Sequence, residues 1–110
     1  MHSVFDLRDG VSDAQFRDAW ERLTADLIAR GLLVSASGLL ARRSDTPLDT
    51  DDGRGLRYLT VMSFQDRAQS EAAWDEIAGL HPPALGLHRR VLGMVAEPVF
   101  SCWEDLDAVP

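Results

Sequence analysis

An α+β fold, with two helices laid across one face of a four-stranded antiparallel sheet, is what this sequence predicts. Three observations predict it. Two segments carry helical spacing and their own capping residues, four runs of β-formers are distributed one before the first helix, two between the helices and one after them, and those runs are apolar on both of their alternating phases. The last observation also bears on assembly.

The first strand is "SVFDL", residues 3–7, and "DGVSDAQ" then carries the marks of a helix start. Ser12 can cap, Gln15 three residues later completes a capping box, and Val11 is placed to staple against Phe16. Apolar residues follow at spacings of three and four, from Phe16, Ala19 and Trp20 to Leu23, Leu27 and Ile28, and Gly31 stands where a left-handed C′ residue ends a helix. The segment "LLVSASGLLARR", 32–43, the turn-rich tract "SDTPLDTDDGRG" and "LRYLTVMSF", 56–64, form a long hairpin with a mobile, solvated tip over 45–54. The tip's aspartates lack the glycine position and closing glutamate of an EF-hand loop. Asp66 and Gln69 begin a second helix with Ala73, Trp74, Ile77 and Ala78 on its apolar stripe, stopping near Gly79 before "HPP" breaks the chain. A short helix holding His88 comes next, and "EPVFSCWEDL", 97–106, supplies the last strand through Val99, Phe100 and Trp103.

That order, β-α-β-β-α-(short α)-β, is the split βαβ, ferredoxin-like arrangement, and 110 residues suit one such domain spanning 1–110. Its helices cover one face of the sheet. On the third strand Tyr58, Met62 and Phe64 take one face while Leu59 and Val61 take the other; on the second, Leu32, Val34, Ala36 and Leu40 oppose Leu33 and Leu39; on the last, Val99 and Trp103 oppose Phe100 and Cys102. A second copy of the chain stacking face to face would cover the side that the helices leave bare, so a homodimer through the sheet faces is expected.

Composition narrows the function. The eleven basic residues are all arginine, there is no lysine or asparagine, and a net charge of −7 with no basic stripe disfavours nucleic acid and anionic membrane surfaces as partners. No apolar run approaches the ~20 residues of a membrane span, and the N-terminal decapeptide has no signal-peptide pattern, so a cytoplasmic protein is expected. One cysteine, Cys102, makes no internal disulfide and no cysteine-based zinc site. His2, His81 and His88 have no carboxylate at ligand spacing, and neither a metal nor another cofactor is expected. Ser63 and Ser101 lack a Gly-x-Ser-x-Gly elbow.

In element order and length the chain resembles the dimeric α+β barrel superfamily, the ferredoxin-like group that includes cofactor-free monooxygenases, haem-degrading enzymes and lactone isomerases. More narrowly, "FDLRDGVSDAQF", "GLHRRV" and "VFSCWEDL" resemble an uncharacterised bacterial domain-of-unknown-function family within it. The resemblance implies a ligand held between the sheet and the helices of each protomer. The asparagine that the best known of those enzymes use has no counterpart here, and no catalytic role is carried over. His88, on helical spacing with Leu85, Val91, Leu92 and Val95, is the polar group expected to face such a pocket, bounded by Tyr58, Trp74 and Trp103. A small hydrophobic or aromatic metabolite is the expected ligand. The alternatives are a non-catalytic structural or interaction dimer and a cofactor-independent monooxygenase- or isomerase-like enzyme.

Overall fold

The computed structural model describes residues 1–78 and 84–108. The elements are β1 (His2–Leu7), α1 (Asp13–Ala29), β2 (Ser35–Ala36), β3 (Leu40–Ala41), β4 (Tyr58–Ser63), α2 (Arg67–Ala78), α3 (Ala84–Leu92) and β5 (Val95–Ser101), followed by a 3-10 turn at Leu106–Ala108. The predicted stop at Gly79 and the break at Pro82 and Pro83 lie outside the described residues.

α1 begins and ends as its sequence dictates. Ser12 Oγ accepts from Gln15 N at 3.1 Å while Gln15 Oε1 accepts from Ser12 N at 2.9 Å, so both halves of the capping box are present. At the other end Gly31 takes φ +72°, Leu32 N donates to Leu27 O at 2.8 Å and Gly31 N donates to Ile28 O at 3.0 Å. These two bonds pair the helix's last carbonyls in a Schellman motif. Asp66 caps α2 through Gln69 N at 2.8 Å, and Gln69 Nε2 reaches Gly31 O at 3.0 Å, tying the start of one helix to the end of the other.

The sheet is antiparallel throughout and runs, across its width, β2 with β3, then β4, β1 and β5. It has five strands instead of the four expected, because the run over 32–43 is broken by a bulge. Ala36 pairs with Met62 and Leu40 with Leu59, so residues 37–39 oppose only residues 60 and 61. Ser37 makes the break tolerable: its backbone N donates to Val61 O at 2.8 Å and its Oγ accepts from Val61 N at 2.8 Å, replacing a ladder partner. Trp20 Nε1 donates to Ser37 O at 2.7 Å and fastens the bulge to α1. The extra residue reverses the phase of the strand. Ala36 therefore sides with Met62, and Leu40, expected on the same face as Ala36, sides with Leu59 on the other.

A second bulge lies in β5, where Phe5 opposes both Glu97 and Pro98, with Glu97 at φ +54°. The β1–β5 ladder ends at the His2–Ser101 pair, so Trp103, expected within a strand over 97–106, stands beyond the sheet. Both edges of the sheet are thus irregular, one broken at Ser37 and the other interrupted by a bulge and a proline, features that discourage edge-to-edge pairing.

Helices and sheet enclose one hydrophobic cluster. Phe5, Phe16, Leu23 and Leu27 are fully buried in it, with Trp20, Leu33, Met62, Val91 and Val95 around them. Phe5 and Phe16 meet at a ring separation of 5.1 Å. The polar Thr60 is also fully buried on this side, and among the described residues no buried side-chain polar atom lacks a hydrogen-bond partner. Arg42 bonds across the acidic tip expected to be mobile. Arg42 grips both oxygens of Asp49, at 2.7 and 2.8 Å, and also bonds the carbonyls of Asp51 and Arg54. This fork holds the Asp49 carboxyl below its usual pKa.

Candidate functional site

The residues expected to bound one pocket fall into two groups. Trp74 and Trp103 both line an open recess at one end of the sheet, with a volume of about 1030 Å³. Tyr58 and His88 do not line it. Tyr58 is the first residue of β4, whereas the recess takes in the last residues of that strand and those that follow, Val61 to Gln65. Its ring stacks on Phe5 at 6.2 Å, lies under the Arg57 guanidinium at 5.7 Å and borders a separate recess with Arg42, Asp51 and Asp52. His88 is half-buried on α3, and burial holds its imidazole below the usual pKa. Among the described residues it has no hydrogen-bond partner. The layer where a ligand was expected is occupied by the side chains of Phe5, Phe16, Leu23 and Leu27.

The recess is built where the start of β1, the end of β4, the first turns of α2 and the segment after β5 meet. Met62 pairs there with Met1, its N donating to Met1 O at 2.9 Å. On the helix side of the sheet, Trp74 from α2 packs on Phe64 with ring centroids 6.2 Å apart. On the other side Trp103, 75% exposed, is fixed by a bond from its Nε1 to Ser101 Oγ at 2.9 Å and lies 6.4 Å from the His2 ring. Arg67 and Glu104 form an ion pair across the mouth. Sequence reasoning missed His2, Phe64, Arg67 and Glu104. The Arg67–Glu104 pair joins residues far apart in the chain and leaves no local signal, whereas Phe64 and Trp74 already stood on the predicted apolar faces of their elements.

Cys102 and His2 both line the recess, and no hydrogen bond joins them. No group of three or more metal-ligating side chains occurs among the described residues. Nor is any described helix long and apolar enough to cross a membrane.

The second feature is the sheet face turned away from the helices. Val99 pairs with Val4, Val4 with Leu59, and Leu59 with Leu40, so four apolar side chains form one in-register row across β5, β1, β4 and β3. Val61 stands beside it. None of the five belongs to the cluster beneath the helices, and Leu40 and Val99 remain 44% and 43% exposed. The one carboxylate that β1 places on this face, Asp6, is held by Arg57 through its backbone N at 3.2 Å and its Nε at 3.0 Å. No protein-family model matches the chain, and no curated protein matches it.

Proposed function

We propose that the chain is a ferredoxin-like protomer of a homodimer, in which two copies stack their uncovered sheet faces into an α+β barrel and the assembled surface is the working unit. The row Val99–Val4–Leu59–Leu40 carries this reading. A sheet with one wet face alternates apolar with polar, whereas this row is apolar at every strand, and covering it removes from water the part of each side chain still exposed, a fraction of the about 1.5–3 kcal/mol that full burial of such a side chain is worth. A second copy is the occupant that fits. The row is uncharged and can face itself across a two-fold axis, while two chains of net charge −7 would repel through most other surfaces. The irregular edges weigh against pairing edge to edge.

Leu59→Arg tests the proposal, since Leu59 is central to the row and outside the helix-covered cluster. Sedimentation velocity should show a monomer with unchanged far-ultraviolet circular dichroism. A folded Leu59→Arg protein that stays dimeric would rule out this interface.

A second reading is favoured by the aromatic recess: binding of a small aromatic molecule, at the end of the sheet instead of between sheet and helices. Trp103 supports it, because an indole held by a hydrogen bond while its ring stays in water is a ready stacking surface. A cofactor-independent enzyme would need a nucleophile and a base in contact, and among the described residues of the recess no such pair is hydrogen-bonded.

A further inference from the structure

From the charge and ring arrangement of the recess we infer that it selects flat aromatic molecules that are cationic, and discriminates against anionic ones; the inference rests on the second reading above. Trp103, His2, Trp74 and Phe64 line one open volume, the first two as one ring pair and the last two as another. An electron-rich ring face attracts a cation held near it, most strongly for tryptophan. The rim adds to that preference. It carries three carboxylates, Asp66, Glu104 and Asp105, against two cations, the Arg67 guanidinium, which Glu104 engages, and the Met1 ammonium, which donates to Met62 O at 2.6 Å. Asp66 is turned to the backbone of α2, where it accepts from Gln69 N, which leaves the exposed Asp105 as the carboxylate most available to a ligand's positive charge. The field of a chain with net charge −7 acts in the same direction. An anionic aromatic would meet more carboxylates than cations here, with the Arg67 guanidinium already taken by Glu104 and the Met1 ammonium bonded to Met62 O. The inferred ligand class is therefore a fused-ring nitrogen cation or an aromatic amine.

Three two-ring probes of similar size separate the outcomes: N-methylquinolinium as the cation, 2-naphthol as the neutral compound and 2-naphthoate as the anion. The three tryptophan indole N–H resonances report location, because Trp20 is buried with its N–H bonded to Ser37 O and serves as an internal control. N-methylquinolinium should shift the Trp103 and Trp74 resonances saturably, leave Trp20 in place, and bind about tenfold more tightly than 2-naphthoate at low ionic strength. Trp103→Ala, at an exposed position, should keep the fold and weaken the cation by about tenfold. Asp105→Asn should narrow the gap between cation and anion. Equal affinity for 2-naphthoate, with Trp103 and Trp74 still responding, would overturn the charge selection and leave an aromatic site. Absence of a saturable shift with all three probes would overturn the site itself.

Discussion

Replacing Ser37 with alanine removes one oxygen from the bulge between β2 and β3, and the structure specifies what that oxygen does. Ser37 Oγ accepts the hydrogen bond of Val61 N at 2.8 Å and donates to Gly38 O at 2.8 Å. The second bond lies at an exposed carbonyl that water can serve, so its loss costs little. The first is different, because the extra residue of the bulge leaves Val61 N without a backbone acceptor on the neighbouring strand, and its surroundings are partly buried. An amide stranded in the protein costs about 1–3 kcal/mol, and partial exposure places this one near the lower end. A loss of about 1 kcal/mol lowers the melting temperature of a domain of this size by about 4–8 °C. Thermal unfolding at fixed protein concentration measures it, and hydrogen exchange at the Val61 amide locates it. Ser37→Thr, which keeps the oxygen, should recover most of the loss. A melting temperature unchanged in Ser37→Ala, together with undiminished protection at Val61, would refute the assignment of the bulge's missing partner to this side chain.

Three further outcomes concern His88, Arg42 and Gly31. Burial favours neutral His88 in the folded state, so its folded pKa lies below the unfolded value near 6.5; the unfolded chain then binds more protons at low pH, and stability should fall as pH drops below about 6.5. Denaturant midpoints at pH 7.5 and 5.5, compared with those of His88→Gln, should show that slope in the wild type and a smaller one in the variant. Arg42→Ala removes the fork on Asp49 and the tip carbonyls, so limited proteolysis should cut within 45–54 faster than in the wild type, with a small change in melting temperature. Gly31→Ala forces a side chain into φ +72° and should destabilise the protein by about 1–2 kcal/mol in chemical denaturation, although a Cβ there meets no neighbouring atom.

The parts of the fold that were legible in the sequence are those specified over a few residues. Ser12 with Gln15 marks the start of α1, Gly31 its end, and Asp66 with Gln69 the start of α2, because each makes its hydrogen bonds within one turn of itself. The bulge at Ser37 was not legible. In "VSASGLL" a serine and a glycine fit a strand as well as a break, and the bonds that make it a break come from Val61 and Trp20, distant in the chain. That hidden residue reverses the phase of Leu40, so the uncovered row could not be drawn from alternation alone, although the apolar character of Leu59 and Val61 on one phase already pointed to such a surface. The recess was half legible. Trp74 and Trp103 stand out in the sequence as lining candidates, but only the packing shows that the Tyr58 ring stacks on Phe5 away from this recess and that His88 lies on an element outside it.

The measurement closest to the central claim is the solution mass of the unmodified chain. A protomer of 12.2 kDa that pairs through the Val99–Val4–Leu59–Leu40 row should scatter light as a particle of twice that mass across micromolar concentrations. A constant monomer mass over the same range would contradict the account, because the apolar row would then stand in water with nothing to cover it.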